Sequence, residues 1–276
     1  GGKGSMNQST GREECKYADR EKTRVENLDQ ANMNTNMFQA ACNNTTHENN
    51  DNQNVDNRIK VPTNLKEVRE SKERAAWEAA ILEEMNAMER HQVYDLVNLP
   101  PGRRAIGCRF VFAVKTDKDG NVSRYKARLV LLGYQQRPGI DYKELFSPVA
   151  RFETIRSVLA IAAKEQLHLH QLDVKSAFLA AEIEEELFMR QPEGFDDGSG
   201  RVWRLNRALY GSVQAPRAFN QKMNKTLLSM RTVKLRQSSA DPCLYFSDSP
   251  RRLVVLVFVD DAMVGGENEE LVKGFI

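Results

Sequence analysis

Two adjacent aspartates, Asp260 and Asp261, close a strand-like run, Leu253-Val-Val-Leu-Val-Phe-Val259. The next stretch, Ala262-Met-Val-Gly-Gly266, reads as the strand returning from that corner. Like charges held this close raise each other's pKa. A divalent cation removes the penalty, and hard carboxylate oxygens suit Mg²⁺. A third carboxylate, Asp173, follows a second strand-like stretch, Leu167-His-Leu-His-Gln-Leu172. Three aspartates of this kind are what two-metal phosphoryl transfer needs. The plain alternative is a solvated hairpin tip and an unrelated strand-end Asp, so the rest of the chain has to decide.

The elements that must position these groups are legible as patterns. Trp77, Ile81, Met85 and Met88 form one apolar stripe on a helix expected over 71–90, with Ser71 as its N-cap. Asn98-Leu-Pro-Pro-Gly102 ends that unit. A hairpin follows, with strands 109–115 and 123–130 around an Asp-Gly turn signal in 117–121. On the return strand Arg124, Lys126 and Arg128 alternate with Tyr125, Ala127 and Leu129, so the three cations share one face. That face suits phosphates; equally, it is what a wet amphipathic strand shows. A helix is expected over 152–164, with Ile155, Val158, Leu159 and Ala162 on one side, and another from about Pro216 to Met230, with Pro in its first turn.

Composition narrows the class. Residues 101–151 carry eleven Lys/Arg against four Asp/Glu, which favours a polyanionic partner. The stretch 182–197 is acidic and reads as solvated surface. Cys15, Cys42, Cys108 and Cys243 form no C-x-x-C, which excludes a zinc knuckle or redox motif and points to reduced thiols in an intracellular compartment. No apolar run reaches a membrane span of about 18 residues, so no membrane partner is expected. Ten Asn fall between Asn32 and Asn57, and residues 1–60 are too polar to offset their ordering entropy by burial; a disordered segment is expected there. The chain starts at Gly1 and reads as a piece of something longer.

Eight blocks stand in one order along the chain: Arg124-Tyr-Lys-Ala-Arg-Leu-Val130, Gly139-Ile-Asp-Tyr142, Phe146-Ser-Pro-Val-Ala-Arg151, Gln171-Leu-Asp-Val-Lys-Ser-Ala-Phe-Leu179, Met189-Arg-Gln-Pro-Glu-Gly194, Ala208-Leu-Tyr-Gly211, Gln214-Ala-Pro-Arg-Ala218 and Phe258-Val-Asp-Asp261. With these blocks the chain, from about Trp77 onward, resembles the reverse transcriptase of copia-type LTR retrotransposons, a part of the Pol polyprotein. The resemblance implies an α+β fold: right-hand polymerase fingers and palm over residues 61–276, C-terminally truncated with the thumb largely missing, behind the disordered segment 1–60. It implies an RNA-directed DNA polymerase that adds dNTPs to a primer 3′-end on an RNA or DNA template.

The same resemblance implies roles. Asp173, Asp260 and Asp261 would be catalytic and would hold two Mg²⁺, with Mn²⁺ as an alternative and the Val174 carbonyl as a further ligand. Lys126 and Arg128 would grip the dNTP triphosphate, with Lys115 a weaker candidate on the opposing strand. Tyr210 and Gly211 would line the nucleotide pocket, Gly211 by allowing close backbone approach. Phe178 would crowd a ribose 2′-hydroxyl, or would be a core ring; both readings stand. Gln214 and Arg217 would contact template or primer. The implied setting is a cytoplasmic virus-like particle with access to the nucleus, beside the integrase and RNase H of the Pol polyprotein.

The chain departs from the family pattern at Phe258, where Tyr is more usual, at Phe219 for Trp, at Ser212-Val213 for Leu-Lys, and at Tyr94 for Trp; none of these removes a metal ligand. Only 15 residues follow Asp261. The competing expectation is a truncated transposon remnant that binds nucleic acid without turnover. A generic metal-dependent nuclease or cyclase would explain the aspartates but not the other blocks.

Overall fold

The computed structural model describes residues 59–247 and 252–276. The expected Asn-rich segment lies outside the described residues, except for its last two positions. The described residues form a mixed α/β architecture in two compact units, one of residues 59–149 with 174–229, the other of residues 150–173 with 230–276.

In the first unit, helix α1 (Leu65–Glu70) precedes α2 (Arg74–Arg90). Asn64 caps α1 by accepting from the Glu67 N–H, a short-range signal that the apolar stripe alone does not reveal. Ser71 ends α1 instead of starting α2: its N–H donates to the Val68 carbonyl, while its hydroxyl accepts from the Glu73 N–H. Helix α2 therefore begins three residues later than the sequence suggests, and its stripe is buried as expected.

Strand β1 (Tyr94–Val97) joins β6 (Val202–Arg207) and β5 (Glu182–Met189) in an antiparallel sheet of order β1-β6-β5. Strands β2 (Cys108–Thr116) and β3 (Val122–Leu131) form the expected hairpin. Its inner face, Phe110, Phe112, Ala127, Leu129 and Leu131, joins the stripe of α2 in one core. Trp77 meets Phe112 and Tyr125 edge-on, with ring centroids 5.5 and 4.7 Å away. Tyr94 stacks on Trp203, so an aromatic ring is used where the family pattern has Trp. Helix α4 (Ala215–Ser229) packs through Ala215, Ala218 and Phe219 on Ala177, Ala181 and Ala208. Burial pushes the Cys108 thiol up to about 11, which leaves it unreactive.

The second unit is a five-stranded antiparallel sheet, the strands being β4 (His168–Asp173), β7 (Leu235–Gln237), β8 (Leu244–Ser247), β9 (Leu253–Phe258) and β10 (Asp261–Gly266). Their order is β4-β10-β9-β8-β7. Helix α3 (Phe152–Glu165) lays Ile155, Val158 and Leu159 on Leu256, Phe258 and Met263. Helix α5 (Glu269–Phe275) follows β10 and buries Val272. No helix among the described residues is long and apolar enough to cross a membrane.

Asp241 ties this unit together. It is buried, and its carboxylate accepts from the Arg151 N–H, the Thr154 hydroxyl and the Cys243 N–H. Burial alone would raise its pKa, but these donors outweigh burial and hold it below the usual carboxylate range. A depressed native pKa contributes stability above the unfolded value of about 4, and that stability is lost as pH falls through the native value. Asp241→Ala is expected to cost about 2 kcal/mol at neutral pH. Asp241→Asn should flatten the loss of stability below about pH 4. Urea denaturation across pH checks both.

Candidate functional site

The β9–β10 hairpin turns through only Val259 and Asp260, because Phe258 pairs directly with Asp261. The turn demands a left-handed backbone at Val259, φ +54°. A β-branched residue adopts that conformation only under strain, on the order of 1–3 kcal/mol. On its other side β10 pairs with β4 in a register that sets Asp173 directly opposite Asp261. Two strands distant in sequence thus bring the three expected carboxylates to one end of one sheet.

Their electrostatics follow from that placement. Burial raises the Asp261 pKa first, the neighbouring Asp260 charge adds to it, and Asp173 contributes a smaller rise. Gln171, two residues before Asp173, offers its side-chain amide to Asp261 Oδ1 at 3.5 Å and offsets part of the rise. Its own Oε1 is buried without a partner among the described residues. Carboxylates that repel one another at a partly open sheet end fit a hard divalent cation in kind. Among the described residues, however, no three His, Cys, Asp or Glu side chains are grouped closely enough to hold a metal ion. Val174 follows Asp173 in the chain and belongs to the other unit.

The remaining expected residues lie in the first unit. On the outer face of the β2–β3 hairpin, Arg128 stands opposite Val111, Lys126 opposite Ala113 and Arg124 opposite Lys115. The shared basic face is therefore present. Arg124 is ion-paired with Glu83 at 2.6 Å. Glu84 lies under the same strand and accepts from the Leu129 N–H at 3.0 Å. Burial raises its pKa, while that N–H, Arg128 and Lys126 pull it back. Nothing in the sequence marks Glu84, which looks like any polar residue beside the stripe of α2.

Arg128 sits over the Tyr210 ring, guanidinium carbon to centroid 4.3 Å. Tyr210 meets Phe178 edge-on at 4.8 Å, and Phe178 meets Phe219 at 6.2 Å. Phe178 is half-buried against the alanine-rich core, so it has both a packing contact and an open side. Gly211 has φ +83°, and a Cβ there would lie 2.2 Å from the Leu131 carbonyl oxygen. Its close backbone approach is to the end of β3. Gln214 is buried: its Oε1 accepts from the Gln136 amide, and its own amide donates to the Asp141 carbonyl. That amide is committed within the protein, a role its sequence context does not announce. Arg217 is partly exposed, ion-paired with Glu144 and bonded to the Phe146 carbonyl.

Residues 91–276 match the family described as reverse transcriptase (RNA-dependent DNA polymerase). The chain belongs to the reverse transcriptase family. It is 40% identical over 215 residues to the retrovirus-related Pol polyprotein from transposon TNT 1-94 of Nicotiana tabacum, a match covering 76% of this chain and 16% of that protein. It is 42% identical over 201 residues to the Pol polyprotein from transposon RE2 of Arabidopsis thaliana, covering 71% of this chain and 14% of that protein. For the Arabidopsis transposon RE1 polyprotein the identity is 41% over 199 residues, with 71% and 13% covered. The chain thus spans only a small part of the polyproteins it matches, and the expected copia-type reverse transcriptase relationship holds.

Within this reverse transcriptase domain, Gly211 gives a sharp structural test. Gly211→Ala adds a Cβ into backbone at a left-handed position. It should destabilise the protein by about 3 kcal/mol. The urea midpoint would show it; an unchanged midpoint would mean that the 208–211 turn moves freely from the end of β3.

Proposed function

We propose that the chain is the fingers-and-palm portion of an RNA-directed DNA polymerase, transferring nucleotidyl groups from dNTPs to a primer 3′-end on an RNA or DNA template, with pyrophosphate as the leaving group. The observation that carries this reading is the β4–β10 register, which pairs Asp173 with Asp261 beside the Asp260 corner. In this reading Asp173, Asp260 and Asp261, with the Val174 carbonyl, would hold two Mg²⁺, or Mn²⁺ in their place. The chemistry such ions would supply is activation of a primer 3′-hydroxyl and neutralisation of the triphosphate charge.

The other residues then have definable tasks. Lys126 and Arg128 bind the triphosphate by charge-assisted hydrogen bonds. Tyr210 and Gly211 line the nucleotide pocket. The open side of Phe178 crowds a 2′-hydroxyl and so favours deoxynucleotides. Arg217, at the surface, contacts primer or template backbone, while Gln214 shapes that segment from within. The likeness to transposon Pol polyproteins supports template, primer and other parts of such a polyprotein as partners of this chain.

The test is primer extension on poly(rA)–oligo(dT) with Mg²⁺ and dTTP. Asp260→Asn should reduce extension to background with the circular dichroism spectrum unchanged, because a ligand is lost without a change of shape. A variant that still extends normally would remove Asp260 from the metal assignment. Replacing Lys126 and Arg128 together by Ala should raise the dTTP KM roughly 10- to 100-fold, the equivalent of one lost charged hydrogen bond. An unchanged KM would return both to ordinary surface charge.

A further inference from the structure

We infer that Tyr210 is a positioning residue that couples the triphosphate grip to sugar selection, an inference that rests on the polymerase reading above. Its ring faces two ways. One face carries the Arg128 guanidinium, at 4.3 Å, and the ring meets Phe178 edge-to-face, at 4.8 Å. Arg128 and Phe178 lie 50 positions apart in sequence and serve different parts of a nucleotide, one its phosphates and the other its ribose. Tyr210 is the group that touches both.

The ring can do this because its backbone is anchored. The Leu131 N–H, at the end of β3, donates to the Tyr210 carbonyl at 2.8 Å. The neighbouring Gly211 packs so closely on Leu131 that no side chain fits there. The turn that carries the ring is thereby fixed to the same strand that carries Arg128. Behind Phe178, Phe219 of α4 closes the row at 6.2 Å. A guanidinium on an aromatic face loses rotamer freedom but keeps all its donors at its edge. Stacking on Tyr210 therefore presents the Arg128 donors pre-oriented, and a shift of the Phe178 ring is felt at Arg128 through Tyr210.

The test compares Tyr210→Leu, which removes the ring, with Tyr210→Phe, which keeps it. Tyr210→Leu should raise the dTTP KM roughly 2- to 30-fold with kcat little changed, the range a stacked cation is worth. It should also narrow the preference for dTTP over UTP. Tyr210→Phe should retain most of what Tyr210→Leu loses. In an Arg128→Ala background Tyr210→Leu should add little to KM, and in a Phe178→Ala background little to the sugar preference.

Additive effects in both backgrounds, or a Phe variant as impaired as the Leu variant, would overturn the coupling. Should Tyr210→Leu fail to fold, Phe178→Leu is the second probe: a raised dTTP KM supports the bridge, and an unchanged KM sinks it. Calorimetric binding of dTTP and UTP to the same variants separates this inference from the polymerase reading. Wild-type protein that binds dTTP without extending primers would count against turnover alone, and the coupling would then be judged on the binding constants. Wild-type protein that binds neither nucleotide would overturn both.

Discussion

Pairing β4 against β10 sets Asp173 across from Asp261, and a slip of one residue would send the two carboxylates to opposite faces of the sheet. Strand β10 itself is fixed between β4 and β9 and packed on both faces. On the face carrying Asp173 and Asp261, Met263 packs with Leu256, Phe258 and the apolar side of α3. The alternate positions of the same strands, Val255, Val257, Ala262 and Val264, are buried as well. The β9–β10 pair is thus covered on both faces, and the edge strand β4 adds partly buried Leu169 to the α3-facing cluster. Attraction between the carboxylates does not hold them there, since they repel one another.

The first unit solves a different problem, that of an exposed strand edge. The outer edge of β3 has N–H groups that β2 does not use. Glu84 accepts one at Leu129, and the Tyr210 carbonyl accepts the next at Leu131. An edge capped in this way resists unwanted pairing. It also fixes β3 against α2 and against the 208–211 turn. Because Phe110, Phe112, Ala127 and Leu129 bury the inner face, alternation leaves the outer face to Lys126 and Arg128. Half-burying Glu84 near two cations costs less than half-burying it alone, since their charge offsets part of its desolvation.

Much of this was legible in the sequence where one physical period dominates. The α2 stripe, the Asp-Gly hairpin, the α3 face and the Asp260–Asp261 corner each follow from local pattern, and the ordered blocks gave the family. What stayed hidden depends on long-range placement or on short polar cues. Ser71 has the chemistry of an N-cap, yet the Asn64 cap starts a helix just before it, so Ser71 closes α1 instead. Gln214 looks like a surface residue beside Arg217, but Gln136 and Asp141 enclose it. Glu84 and Gln171 carry no motif. Each acquires its partner, Leu129 or Asp261, only when segments tens of residues apart meet.

The corner at Val259 shows how such a sheet can sustain local cost. Glycine would satisfy φ +54° without strain, and the chain instead carries a stiff β-branched residue there. Strain on the order of 1–3 kcal/mol must be held by the surroundings. Leu253, Val255 and Leu256 on β9 are each no more than 1% exposed, and burying such side chains contributes about 1.5–3 kcal/mol apiece. Two or three of them outweigh the strain. A glycine corner would be less strained and also less defined, because its backbone samples both signs of φ. Valine at that corner, itself packed against the α3-facing core, fixes the direction in which Asp260 leaves the sheet. A fixed direction at this corner keeps Asp260 at the same sheet end as Asp173 and Asp261, which a relaxed turn would not.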